Sequence, residues 1–211
     1  MAKKPTGKSA KPSAPLLMSD ADRIVDAALA EAAAVGWTNL SMAAVATRAE
    51  LPMSAVLLKA PTRAHLIAML YDRLDARMLQ DLTAPSEEDG PRDRLFEIAM
   101  KRFDAMNLNR DGMRAIVSGA RFDPPSLAIA LCRSDRTAAM MLAAAGVSPD
   151  GLLGYGRIQG MKLILACALK AWMDDDSADL AKTMAALDRA LERAENFARF
   201  RGFRRPQTEA A

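Results

Sequence analysis

Apolar residues recur along this chain at the 3.6-residue period of helices, and no stretch shows the strict alternation of a half-buried strand. The first stripe is Ile24, Ala28, Leu29 and Ala32. Ser19 or Asp20 stands where a helix cap belongs, Asp20 and Asp22 fall beside the positive end of the helix dipole, and Gly36 is placed to stop the helix. Trp37 follows as an expected core anchor. Ser41 predicts the cap of a second helix to about Arg48, with Met42, Val45 and Ala46 facing inward. Glu50, Leu51 and Pro52 break that helix, and residues 53–59 have the length of a third. Pro61 suits the first position of a fourth helix reaching about Leu82, with the stripe Leu66, Met69, Leu70, Leu74, Met78 and Leu79.

The Pro- and Glu-rich run at 84–91 is the clearest break in the pattern. Beyond it, apolar spacing predicts helices at about 91–106, 110–120 and 125–145. Another opens at Ser148-Pro149 and runs to about Met173. The last, capped by Ser177, runs to about Phe200 with Leu180, Met184, Leu187, Leu191 and Phe197 on one face. The fold class is therefore all-α, with four segments: a disordered basic arm at 1–18, a small three-helix head at 19–60, a helical body at 61–200 and a basic tail at 201–211.

Composition supports helices over sheets: 51% of the 211 residues are apolar, 14 are Met, and only 5% are aromatic. Cys132 and Cys167 are far apart without metal-ligand spacing, and read as reduced core thiols of a cytoplasmic protein. No uninterrupted apolar run reaches the roughly 18 residues of a membrane span. The N-terminus has Lys3, Lys4, Lys8 and Lys11 but no apolar core of a signal peptide. The net charge of +3 is unevenly spread. Residues 1–63 carry eight Lys/Arg against five Asp/Glu, residues 199–211 carry four Arg against Glu209, and the middle is acidic. Both ends can thus meet polyanions, the arm at DNA phosphates and the Phe197–Arg205 tail at a membrane surface, where anchoring would be weak.

Little in the chain supports catalysis. His65 is the lone histidine, Asp174, Asp175 and Asp176 read as an acidic hinge before a helix start, and the glycines from Gly154 to Gly160 lack the spacing of a dinucleotide loop. No enzyme activity, cofactor or metal is expected. The stretch Ser41–Leu66 carries the functional signal instead. Two short helices joined by three or four residues form the unit that lays its second helix in a DNA major groove. The N-terminus capped by Ser41 can receive a phosphate, Arg48, Lys59 and Arg63 can reach others, and Met53, Ser54 and Leu58 face the bases. In the body, Phe103, Met106, Phe122, Met141, Tyr155, Gln159 and Trp172 are the expected lining of a ligand site, bulky and adaptable with two polar groups for orientation.

Residues 23–66 resemble the N-terminal domain of the TetR family of transcription regulators. The likeness lies in the Arg23-Ile24 start, the Gly36-Trp37 end of the first helix, the Ser41 cap, Val45-Ala46, Ala49 and Arg63 with Leu66. It implies about nine helices, a head that binds operator DNA, a body that binds a small apolar effector, and a homodimer through the last two long helices. The family's usual Ala-Gly-Val-Ser is here Ala49-Glu50-Leu51-Pro52, its Gly-Thr-Leu-Tyr is Ser54-Ala55-Val56-Leu57, and the aromatic pair before its fourth helix is Lys59-Ala60. The tyrosine that would reach a phosphate is therefore Leu57. The C-terminal half also resembles the TetR-fold accessory proteins of ubiquinone biosynthesis, in Arg94-Leu95-Phe96, Arg102-Phe103-Asp104, Ala171–Ser177 and Leu180–Arg189. That second resemblance implies a lipid-binding body and a head that no longer reads DNA.

Overall fold

In the computed structural model, α1 (Asp20–Val35) runs through the middle of the chain's packing, with one side on the head and the other on the body. The structure describes residues 18–80, 82 and 90–200, without the side chains of 198–200. The basic arm up to residue 17, nearly all of the 84–91 break and the 201–211 tail lie outside the described residues. Ser19 caps α1 by accepting the Asp22 N–H at 3.1 Å, and Gly36 ends it at φ 82°, a conformation glycine adopts without a Cβ penalty. A short 3-10 turn, Trp37–Asn39, buries Trp37 to 1% exposure.

The remaining helices are α2 (Met42–Ala49), α3 (Met53–Lys59), α4 (Arg63–Leu79), α5 (Pro91–Asn107), α6 (Arg110–Ala120), α7 (Pro124–Ala144), α8 (Gly151–Met173) and α9 (Ala181–Phe200). Nine α-helices and no strand occur among the described residues. Head helices α2 and α3 pack on each other and α2 packs on α1, α4 passes from the head into the body beside α5 and α7, and α8 pairs with α9. The periodic positions of α1 and most of those of α4 are buried as expected. Leu79 is an exception at 36% exposure, as are Met184 at 40% and Phe197 at 58% on α9.

Three helix starts differ from the sequence expectation, each for a local reason. α4 begins at Arg63, because Pro61 and Thr62 stay extended or bent and Thr62 takes the N-cap position, its hydroxyl 2.8 Å from His65 Nδ1. α8 begins at Gly151 after the N-cap Asp150, since the Ser148 hydroxyl turns the chain by accepting the Asp150 N–H at 3.2 Å. α9 begins at Ala181, because Leu180 is left-handed at φ 55° and Asp175 folds beneath the helix end. Asp175 is fully buried. One of its carboxylate oxygens accepts the N–H and hydroxyl of Thr183, both at 2.8 Å, while the other accepts the Ser177 N–H and hydroxyl. Of the acidic hinge, Asp175 is thus a buried cap for α9, while Asp174 and Asp176 stay exposed.

Both cysteines are free and exposed, contrary to the core reading, since Cys132 and Cys167 fall on outward faces of α7 and α8. α8 is the described helix long and apolar enough to cross a membrane by length and composition, yet only 22% of its apolar window is buried. Leu152, Leu153, Tyr155 and Leu163 are exposed along it, at 87%, 53%, 62% and 67%.

Candidate DNA-binding head and effector cavity

The head's helix-turn-helix is built as the spacing predicts. Ser41 accepts the Ala44 N–H at 3.1 Å, which fixes the start of α2. The turn places Glu50 in the left-handed region at φ 53°, where a glycine would be free of strain. Two backbone bonds hold it there: Glu50 N–H to Thr47 O and Leu51 N–H to Ala46 O, both 3.1 Å. Arg23 of α1 adds a bond to the Glu50 carbonyl, also 3.1 Å. Pro52 opens α3 with an extended backbone but no side-chain cap. Fully buried Val56 anchors α3, leaving Met53, Ser54, Leu57, Leu58 and Lys59 outward, with Leu58 88% exposed.

Two of the residues expected at phosphates are already engaged inside the protein. Arg48 donates from Nε and from a terminal nitrogen to one oxygen of Glu31, at 3.1 and 2.9 Å, which ties α2 to α1. Arg63 donates to Thr38 O at 2.6 Å and to Trp37 O at 3.3 Å, and its Nε lies 3.3 Å from Asp123 Oδ2. Lys59 is exposed and makes no ion pair among the described residues. Ser41, Met53, Ser54 and Leu58 are exposed on the head surface, as a groove-reading face requires.

The body holds a partly open cavity of about 230 Å³ between α4, α5, α6, α7 and α8. Phe103 and Met106 line it, with Leu70, Leu74, Ile116 and Val117 among the other apolar walls. The other five residues expected there lie elsewhere. Phe122 projects from the α6–α7 turn at 69% exposure beneath the Arg121 guanidinium, 4.6 Å from its ring centre. Tyr155 is on the exposed face of α8, and Gln159 donates to Asp135 at 3.2 Å across the α7–α8 surface. Met141 and Trp172 are fully buried but pack in the core away from the cavity, Trp172 under the Arg110 guanidinium at 5.0 Å. Helical spacing marks such residues as inward-facing, yet it cannot say which of them meet a void.

Polar residues of the cavity wall were hidden from the periodic reading. Arg102 on α5 lines the void while paired to Asp75 on α4, and its guanidinium lies 5.1 Å from the Tyr71 ring centre. Asp75 is 3% exposed, accepts the Thr137 hydroxyl at 2.9 Å, and leaves its second oxygen without a partner. Burial pushes the Tyr71 hydroxyl above its ordinary pKa, only partly offset by Arg102, so it stays protonated at neutral pH. The Lys/Arg and Asp/Glu content gives no sign that Asp75 and Arg102 meet, because they lie 27 positions apart on different helices.

α6 joins cavity and head. Its Met113, Ile116, Val117 and Ala120 line the void, while Gly112 and Gly119 press on the other side. A Cβ on Gly112 would stand 2.3 Å from the Leu29 carbonyl of α1, and one on Gly119 2.5 Å from the Trp37 Cβ. Their seven-residue separation is two helical turns, a signal present in the sequence but not read from it.

No family model and no curated relative matches the chain. Among solved structures it is similar to a TetR transcriptional regulator from Nitrosomonas europaea, with 24% identity and a TM-score of 0.68, covering 84% of this chain and 99% of that one. Two regulators from Rhodococcus sp. RHA1 each align with a TM-score of 0.58, at 17% and 20% identity, over 81% and 85% of this chain and 91% and 97% of theirs. At these identities the likeness defines the architecture: the chain has the all-α TetR fold.

Proposed function

We propose that this chain is a homodimeric, DNA-binding transcription regulator of the TetR type, controlled by a small apolar effector held in the body. The observation that carries this reading is α6, which has one face on the cavity and the other pressed against the α1 backbone at Leu29 and against the Trp37 side chain. A ligand that favours one cavity shape over another would bias the position of α1 and so of α3. Ser41, Met53, Ser54, Leu58 and Lys59 form the DNA face, with Arg48 and Arg63 bracing it rather than contacting phosphate. Two heads in a dimer would meet half-sites roughly 34–36 Å apart. Binding to fragments of the chain's own promoter region across a salt series tests the reading. Operator preference should persist above the salt at which nonspecific binding fades. Salt-sensitive binding blind to sequence would overturn it.

A second reading, a lipid-binding accessory protein whose head no longer reads DNA, draws support from one observation. The would-be recognition helix exposes Met53, Leu57 and Leu58 with a single cation, Lys59. Cavity size favours the regulator. About 230 Å³ falls below the range of drug-sized ligand sites, roughly 300–1,000 Å³, and suits a compact effector better than a long isoprenoid. Mass spectrometry of lipid extracted from the purified protein tests the second reading, since absence of any co-purified isoprenoid or acyl chain counts against the accessory role.

A further inference from the structure

We propose that the body cavity takes a small amphipathic anion, its acid group on Arg121 at the rim and its apolar body inside. The inference rests on reading the cavity as a ligand site but not on DNA binding. Two arginines line the void, and they differ in what already neutralises them. Arg102 is 7% exposed and paired to Asp75, so that end of the wall is electrically balanced. A second anion there would compete with a buried carboxylate for one guanidinium. Arg121 is exposed and has no acidic partner among the described residues; the nearby Asp123 is paired with Arg63 instead. Its guanidinium rests on the Phe122 ring, which holds it at the α6–α7 turn without consuming its charge.

The surrounding backbone offers an anion little else. α7 opens with Pro124 and Pro125, which have no N–H to donate, and the turn's Phe122 and Asp123 N–H groups bond to Gly119 O and Ala120 O. A charged ligand group entering beside exposed Leu127 therefore meets one cationic donor, Arg121. The apolar part beyond it meets Ile116, Phe103 and Met106. A neutral ligand of the same size would gain the apolar contacts and lose the charge.

Calorimetric titration of the full chain with octanoate and with 1-octanol, without DNA, tests this. Octanoate should bind about five- to tenfold more tightly than octanol, the effect of one partly exposed charge-assisted contact. Arg121→Gln should remove that preference while octanol affinity stays the same. Leu127→Trp, which plugs the rim from an exposed position, should weaken both probes. Equal affinities, a preference for octanol, a preference that survives Arg121→Gln, binding unaffected by Leu127→Trp, or no binding of either probe would each overturn the proposal. Because no DNA is present, failure here leaves the operator experiment standing, and failure of operator binding leaves this one standing.

Discussion

Asp175 shows how one side chain can set a helix boundary. Burial alone would raise its pKa, but the hydrogen bonds from Ser177 and Thr183 outweigh that and hold the carboxyl well below the usual carboxylate range. The folded form therefore binds fewer protons than the unfolded chain, whose Asp titrates near ~3.9. The stabilisation is complete above about pH 4 and is lost as pH falls below it. Asp175→Asn should cost about 2–3 kcal/mol at neutral pH, the scale of hydrogen bonds to a charged acceptor. In urea melts the gap from the parent protein should narrow by pH 3, and a gap unchanged between pH 7 and pH 3 would rule out the carboxylate as its source. The caps Ser19 and Ser41 were legible in the sequence because their bonds are local, three residues long. Asp175 was legible only as an acid in a polar run, since its role depends on Thr183 returning across a turn. The Asp75–Arg102 pair was illegible for the same reason on a larger scale: 27 positions separate the two, and only tertiary packing brings them together.

At the scale of elements, α6 is the informative helix. Gly to Ala in an exposed helix interior usually adds about 0.5–1 kcal/mol of stability. At Gly112 and Gly119 the sign should reverse, because the new methyl must displace backbone or Trp37, with overpacking costs of about 1–3 kcal/mol. Denaturant unfolding of Gly112→Ala and Gly119→Ala measures this directly, and a stabilised variant would show that α6 does not press on α1 as described. Helix existence was legible most directly in α1, α4 and α9, where 3.6-residue stripes run along the element, whereas α8 is apolar on its exposed face as well. Starts opened by a proline divided: Pro91 and Pro124 do begin α5 and α7, while two others do not begin theirs. Pro61 and Pro149 both sit ahead of their helices, held off by Thr62 and by the Ser148 turn. The same one-dimensional reading placed Phe122, Tyr155 and Gln159 in a binding site, when Phe122 and Tyr155 look outward and the half-buried Gln159 is bonded to Asp135 between α7 and α8.

For the molecule as a whole, the exposed apolar face of α8 and α9 asks for a partner. Leu153, Leu163 and Met184 leave large apolar groups in water, and a second copy of the chain covering them would form the dimer proposed above. Sedimentation equilibrium should find dimers for the parent chain and monomers for Leu163→Asp at the same micromolar concentration, with helical content unchanged. A dimer that survives Leu163→Asp would place the interface elsewhere.

The position of α1 has a consequence for how the molecule folds. Its Leu29 and Ala32 are buried, at 2% and 0% exposure, in a helix that packs on α2 of the head and on α6 of the body. Arg63 binds the Trp37–Thr38 carbonyls and Asp123 at once, so the head is closed by a residue that also belongs to the body. Such a head has no complete core of its own and cannot open by itself without exposing the underside of α6. Backbone amides of α1 and α6 should exchange with solvent in one shared event, as a single foldon spanning both halves of the chain.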